Sequence, residues 1–273
     1  DLYYGQAVDS VEASDGTNNA EITTAQLELA SVPEISGVTE DTGVSTSDFV
    51  TNDSTVVLTG SYDGTADSVT VDVNGTQYDT STSPALVLDS DNGQWSLDLS
   101  GSTLADGTYN VVVTSTDSNS NTYSATQTLT VDTVVPTVDS VTNPGSATFS
   151  LAGGTLSLEL NFTEAVTLTD GQTATVTALV FNGTSEQEVT LTATGSGAST
   201  TALTFESATL PTGLTDTDGV QVKADSLSFT PGDLQDAAGN DVSATFSALT
   251  ASNVQVDTVV PTVDSVTNPG SAT

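Results

Sequence analysis

Hydrophobic and polar residues alternate along much of the chain with the two-residue period of a β-strand. The alternation is clearest in four stretches, TVVLTGSY (55–62), SVTVDVNGTQYD (68–79), GTYNVVVTSTD (107–117) and TYSATQTLTVD (122–132). Each stretch is bounded by Gly, Asn, Asp or Ser, and no long stretch has the helical period of about 3.6 residues. Asn74 and Gly75, between two alternating runs, predict a tight hairpin turn. The pattern therefore predicts an all-β protein.

The number and spacing of these runs are typical of a two-sheet β-sandwich. We predict one sandwich over residues 33–132 and a second over residues 133–257. The predicted strands are 35–39, 54–61, 67–73, 76–79, 85–88, 94–99, 107–116 and 122–131 in the first sandwich, and 137–142, 155–163, 173–181, 187–194, 200–206, 219–229 and 242–256 in the second.

The segment VDTVVPTVDSVTNPGSAT occurs at residues 131–148 and returns unchanged at residues 256–273. Exact repetition of this kind predicts a tandem array. Residues 258–273 would then begin the next unit, and residues 1–32 would be the last strands of a preceding unit. Prolines just after each closing strand predict short, stiff linkers and sandwiches arranged end to end.

The charge balance narrows the possible functions. The chain has 36 acidic residues, one Lys, no Arg and no His, for a net charge of −35. Nucleic acid and anionic lipid surfaces would repel it, so neither is an expected partner. The absence of His, Cys and Arg excludes serine triads, thiol nucleophiles and imidazole metal sites, so we do not expect an enzyme. No apolar run approaches the ~20 residues of a membrane span, so no membrane insertion is expected in this segment.

Two single residues have structural interpretations. Trp95, the only Trp, lies in an alternating run and is predicted to fill the core of the first sandwich. Lys223, the only Lys, is predicted to be exposed and paired with one of the many carboxylates.

The order of several motifs resembles the bacterial Ig-like repeats of giant cell-surface adhesins of the type I secreted, RTX-adhesin-like class. The motifs are NGQWSLDLSGSTLADGTYNVVVTSTDSNSN (92–121) and TLTVDTVVP (128–136) in the first sandwich, and LELNFTEAVTL (158–168), ATGSGASTTALTF (193–205), DTDGV (216–220) and LQDAAGND (234–241) in the second. The resemblance implies tandem Ig-like sandwiches, an extracellular or cell-surface location, and neighbouring repeat units as partners. It also implies stalk modules that are often rigidified by Ca²⁺ at their junctions.

Topology predicts where calcium would bind. In an Ig-like sandwich, the loops after strand B and before strand G lie at the pole where the chain enters, beside the preceding linker. Oxygen ligands from these three segments should converge there, and Ca²⁺ takes six to eight oxygens at about 2.3–2.6 Å. Further ligands are predicted for the next unit and for the opposite pole. The predicted ligands are Asp132, Glu164, Asp236, Asn240 and Asp241 at the entry pole, Asp257 for the next unit, and Asp216 and Asp218 at the exit pole. The alternative is that these side chains only cap turns.

The sequence therefore predicts a structural stalk or spacer segment of a large extracellular bacterial adhesin or fibre, with structural calcium. Two alternatives remain open. The modules would be subunits of a filament or surface layer that exchange strands with other copies of themselves, or they would bind glycans. The small number of aromatic residues disfavours glycan binding.

Overall fold

The computed structural model describes residues 10–14, 19–23, 32–143, 149–150 and 153–267, and every regular element in them is a β-strand. The all-β prediction is therefore confirmed. The chain divides into two compact units, the first formed by residues 1–39, 55–102 and 108–129, and the second by residues 40–54, 103–107 and 130–273. The predicted flanking segments, 1–32 and 258–273, lie partly outside the described residues.

Eleven strands occupy the described residues up to residue 131. They are β1 (Ser10–Ser14), β2 (Asn19–Thr23), β3 (Glu34–Val38), β4 (Val50–Thr51), β5 (Val57–Ser61), β6 (Ser68–Val73), β7 (Thr76–Asp79), β8 (Leu86–Asp89), β9 (Gln94–Asp98), β10 (Gly107–Thr116) and β11 (Thr122–Val131). They form a two-stranded antiparallel sheet of β1 and β2, a four-stranded sheet in the order β3-β5-β9-β8, and a five-stranded sheet in the order β4-β11-β10-β6-β7. The strands β6 and β7 are joined by the predicted hairpin turn, with φ of 54° at Asn74 and 90° at Gly75.

Alternate residues of the longer strands are buried, as the sequence pattern predicts. In β6 the buried positions are Val69, Val71 and Val73, and in β10 they include Val111 and Val113. Val111 lies opposite Val73, and Val113 lies opposite Val71. One face of this sheet is therefore a continuous apolar surface that is removed from solvent.

Trp95 fills the core of the first unit, as predicted. It is only 2% exposed and lies directly opposite Gly60 on the neighbouring strand. Its indole Nε1 donates a hydrogen bond to the Glu34 carbonyl oxygen at 3.0 Å. A Cβ atom on Gly60 would lie 1.9 Å from that oxygen and 2.5 Å from the indole ring. The indole therefore occupies space that only a glycine leaves open.

Eleven further strands lie in the described part of the second unit. They are β12 (Val138–Thr142), β13 (Phe149–Ser150), β14 (Ser157–Leu168), β15 (Thr173–Phe181), β16 (Glu186–Thr194), β17 (Ser199–Ser207), β18 (Thr215–Asp216), β19 (Val220–Val222), β20 (Leu234–Gln235), β21 (Leu249–Ala251) and β22 (Gln255–Asp257). An eight-stranded sheet has the order β12-β14-β17-β16-β15-β19-β21, with β20 paired to β14, and a three-stranded sheet has the order β13-β22-β18. Leucine, valine and phenylalanine side chains of both sheets share one buried core.

The second unit differs from the prediction near its end. The predicted strand 219–229 is only β19, and the predicted strand 242–256 is two short strands, β21 and β22. Asp225 has a positive φ of 53°, and its carboxylate accepts the backbone N–H of Phe246 at 2.8 Å. A side-chain oxygen here accepts a hydrogen bond that a backbone carbonyl would accept in a continuous ladder. The strand is therefore interrupted although the polar-apolar alternation continues.

No helix in the described residues has the length and hydrophobicity that a membrane span requires.

Gly60→Ala is expected to destabilise the first unit, because the added methyl group would overlap the Glu34 carbonyl and the Trp95 indole. Overpacking of this kind costs about 1–3 kcal/mol. Gly101→Ala is the matched control, since a Cβ atom there meets nothing within 4 Å. Urea unfolding followed by the fluorescence of the single Trp reports on this unit. Equal unfolding free energies for the two variants would contradict the packing described here.

Candidate metal centre

Three carboxylates converge within the second unit. Each of Asp132, Glu164 and Asp236 offers one oxygen, and these oxygens all lie within 4.8 Å of one another. Asp132 follows the end of β11, Glu164 lies within β14, and Asp236 follows β20. Asp236 is only 3% exposed, and the other two are half-buried. We call these three residues the acidic trio.

A bulge in β14 determines the position of Glu164. The sequence predicted that this strand ends at residue 163, but it continues to Leu168. Its register with β17 shifts between Asn161 and Val166, so Glu164 lies in the irregular stretch. Bulges redirect side chains and interrupt ladder pairing, which explains how a residue inside a long strand contributes to a cluster of loop residues.

The turn that carries Asp236 is closed by Asn240. The backbone N–H of Asn240 donates to Asp236 Oδ1 at 2.9 Å, and its side-chain Nδ2 donates to Asp236 Oδ2 at 2.8 Å. The same Nδ2 also donates to the carbonyl oxygen of Asp132 at 2.8 Å. Asn240, which the sequence proposed as a ligand, therefore uses its amide nitrogen to hold two members of the acidic trio together.

Asp132 bonds to neighbouring backbone groups through both its N–H and its carboxylate. Its N–H donates to the carbonyl oxygen of Thr51 at 3.0 Å, and its Oδ1 accepts the N–H of Val134 at 3.0 Å. Asp257, the same position in the repeated segment, accepts the N–H of Val259 at 3.0 Å. The repeated sequence therefore forms the same local turn at both places.

The remaining predicted ligands lie outside the acidic trio. Asp216 is buried and accepts the N–H groups of Phe181 at 3.0 Å and Gly219 at 3.2 Å. Asp216 and Asp218 line one surface cleft together. Asp241 accepts the N–H of Gly232 at 2.8 Å. The carboxylates of Asp216, Asp241 and Asp257 thus accept backbone N–H groups, as in the turn-capping alternative. Ligand roles for these three aspartates and for Asp218 stay predictions.

The acidic trio has no side-chain counterion. The sequence contains no Arg or His, and Lys223 donates to Glu188 at 2.6 Å, with the two side chains 49% and 61% exposed. The prediction of an exposed ion pair at Lys223 is therefore confirmed. Burial raises the pKa of Glu164, and the negative charges of Asp132 and Asp236 raise it further.

The geometry of the acidic trio suits Ca²⁺. Two oxygens that bind one Ca²⁺ at about 2.4 Å cannot lie more than about 4.8 Å apart, and the three carboxylates meet this condition. All three side chains offer the hard oxygen donors that Ca²⁺ prefers. Zinc favours His and Cys ligands, which the sequence lacks.

Glu164→Gln is expected to stabilise the chelated protein at pH 7, because it removes one of three mutually repelling charges. The raised pKa of Glu164 means that the folded state binds this proton more tightly than the unfolded state. Its destabilising contribution is therefore absent at low pH and appears as the pH rises through the raised pKa. The gain from Glu164→Gln should shrink as the pH falls toward 4.

Urea unfolding at pH 7 and pH 4 in the presence of a chelator measures this difference. Glu206→Gln, at an exposed position of β17, controls for the general loss of one charge from a very acidic chain. A gain at Glu164 that equals the control, or that does not change with pH, would contradict repulsion within the acidic trio.

Residues 29–133 match a protein-family model described as bacterial Ig-like domain. No curated protein matches the chain in sequence. Similar solved structures include a 1.5-MDa bacterial ice-binding adhesin, with 26% identity over 83% of this chain and 64% of that chain and a TM-score of 0.32. A Ca²⁺-stabilized adhesin of an Antarctic bacterium has 26% identity over 91% of this chain and 56% of that chain, with a TM-score of 0.30.

A tetra-tandem repeat from the extending region of a large adhesion protein has 19% identity over 89% of this chain and 56% of that chain, with a TM-score of 0.30. The chain thus spans between 56% and 64% of the length of these three structures. The family match extends across strands β3 to β11. The chain is therefore all-β and sandwich-like, and its residues 29–133 are similar to bacterial Ig-like domains.

Proposed function

We propose that this chain is a spacer segment in the stalk of a large extracellular bacterial adhesin, without catalytic activity, and that its acidic trio binds structural Ca²⁺. The observation that carries the spacer role is the exact return of residues 131–148 at residues 256–273. In the first copy, this segment contributes the end of β11 and the whole of β12. A structural segment that returns without change is the mark of an array built from repeated units.

A spacer acts through length and stiffness. In arrays of this kind each unit contacts its neighbours, and further units lengthen the array without changing its chemistry. The partners of such a segment are the neighbouring repeat units of the same chain or fibre. A high negative charge keeps extended chains soluble and apart from one another, which suits a surface-attached or secreted protein.

Bound Ca²⁺ would stiffen the second unit at the point where three of its segments meet. The acidic trio brings together the end of β11, the bulge of β14 and the turn after β20. Calcium supplies a double positive charge that offsets carboxylate repulsion, and it would link these three segments through their side chains. Because the ion would bind the folded chain and not the unfolded one, it would stabilise the fold by mass action.

Calcium is expected to raise the free energy of unfolding by ~2.7 kcal/mol at a free concentration 100 times the dissociation constant. Asp236→Asn should abolish most of this gain, because it removes a charge from the buried member of the trio. Asp139→Asn, at an exposed position of β12, is the matched control and should keep it. Thermal melts with Ca²⁺ and with chelator measure the effect.

Ionic strength must be equal in all melts, because salt screening alone stabilises a chain of charge −35. A melt with Mg²⁺ in place of Ca²⁺ separates binding at the trio from general screening by a divalent cation. A wild-type melting curve that is the same in Ca²⁺, in Mg²⁺ and in chelator would exclude the calcium site.

Strand complementation is a second candidate function, because the repeated segment supplies the strand that it needs. Val138 and Val141 of β12 pair with β14 and pack against the core. Their counterparts in the repeated segment, Val263 and Val266, are 82% and 89% exposed. The segment that follows β22 therefore has the sequence of a strand, and its valines would be buried by the sheet of a following unit, whether in the same chain or in another copy. Such a segment is suited to add to the sheet of another unit.

Light scattering across a range of protein concentrations distinguishes the two candidates. A spacer is expected to stay monomeric, because its own β12 already occupies the edge of β14. Subunit exchange would instead give oligomers that grow with concentration and disappear in the double variant Val263→Lys and Val266→Lys. Such oligomers would favour a filament or surface layer over a single-chain stalk.

A further inference from the structure

We infer that Thr42, Gly43 and Thr51 are positioning residues for the acidic trio, although none of them contributes a carboxylate to it. The inference rests on the proposed function. These residues belong to the segment 40–54, which groups with the second unit. This segment contacts both the stretch that carries Asp132 and the turn that carries Asp236.

Thr51 holds the stretch that carries Asp132. It is fully buried, lies beside Val131 in a parallel ladder, and accepts the N–H of Asp132 with its carbonyl oxygen at 3.0 Å. Its hydroxyl donates to the Glu40 carbonyl oxygen at 2.6 Å and accepts the N–H of Asp53 at 2.9 Å. The hydroxyl thus fixes the conformation of the segment at the point where its backbone meets Asp132.

Thr42 holds the turn that carries Asp236. Its hydroxyl donates to the carbonyl oxygen of Ala238, a residue that is 1% exposed. The same hydroxyl oxygen accepts the N–H of Asn52 at 2.9 Å. Because a hydroxyl has one proton, the contact with Thr51 Oγ1 at 3.3 Å is secondary to the shorter bond to Ala238. Loss of this hydroxyl would leave a buried carbonyl without its donor, which is costly.

Two glycines allow the backbones to meet at this point. Gly43 and Gly239 have φ of 89° and 93°. A Cβ atom on Gly43 would lie 2.1 Å from the Ala237 carbonyl oxygen, and one on Gly239 would lie 2.6 Å from the Gly43 nitrogen. Neither backbone has room for a side chain, so a methyl group at either glycine must push the two segments apart.

The segment 40–54 therefore connects the stretch that carries Asp132 with the turn that carries Asp236. One side of it bonds to Asp132 through Thr51. The other side bonds to Ala238 through Thr42 and packs closely against the same turn at Gly43. Groups that orient ligands without touching the metal typically change metal affinity by about 10–100-fold when they are removed. We expect an effect of that size here.

The experiment compares Thr42→Val, which removes the hydroxyl, with Thr42→Ser, which keeps it. Thr190→Val, on an exposed position of β16, is the matched control. Calorimetric titration of the folded proteins with CaCl₂ should show affinity about tenfold lower for Thr42→Val and close to wild type for Thr42→Ser and Thr190→Val. A Thr42→Val variant that melts earlier in chelator but binds Ca²⁺ with wild-type affinity would overturn the inference.

A glycine pair tests the backbone contact independently. Gly43→Ala should lower the Ca²⁺ affinity at least as much as Thr42→Val. Gly213→Ala is its control, because Gly213 has a similar φ of 91° and nothing within 4 Å of a Cβ atom. It therefore adds the same backbone strain without the overlap. Equal affinities for the two glycine variants would overturn the role of Gly43.

Amide hydrogen exchange in chelator separates this inference from the calcium proposal. The N–H of Asn240 is bonded to Asp236 Oδ1, so its exchange reports whether the turn is held in place. If wild-type protein binds no Ca²⁺, the calcium proposal fails, and the positioning role stands only if Thr42→Val speeds this exchange more than Thr190→Val does. Equal exchange in the two variants would overturn the positioning role whether or not Ca²⁺ binds.

Discussion

The second unit depends on a change of partner along one strand. Strand β14 pairs with β17 on one edge before and after the bulge, but on the other edge it pairs first with β12 and then with β20. The change falls in the bulge between Asn161 and Val166, and Glu164 lies within it. A straight strand would have a ladder partner at Glu164. The irregularity that lets β14 pair with both neighbours therefore also redirects the side chain of Glu164 toward Asp132 and Asp236.

The electrostatics of the acidic trio are unfavourable. Three carboxylates within 4.8 Å repel each other, and this repulsion adds to the effect of burial in raising the pKa of Glu164. Backbone and amide hydrogen bonds keep two of them in place, since Asn240 binds Asp236 and the Asp132 carbonyl together. Hydrogen bonds thus hold mutually repelling carboxylates in place, and a divalent cation bound there, as we propose, would offset their repulsion.

Long strands could be predicted from the sequence because their signal is local. In β6, β10 and β15, alternate side chains are buried as the pattern required, and Trp95 occupies the predicted core. Two-residue strands such as β4 and β20 have no alternation to detect. Their positions follow from long-range pairing, so sequence periodicity could not give them.

The same distinction between local and long-range signals applies to the candidate site. Asp132, Glu164 and Asp236 were predicted because topology places loops at one pole, and that reasoning tolerates an error in the end of a strand. Asn240 was predicted as a ligand, but whether its amide oxygen or nitrogen faces the cluster depends on the closed turn. Thr42 was missed because its partner Ala238 lies 196 residues away, and a threonine in a polar loop has no distinguishing pattern.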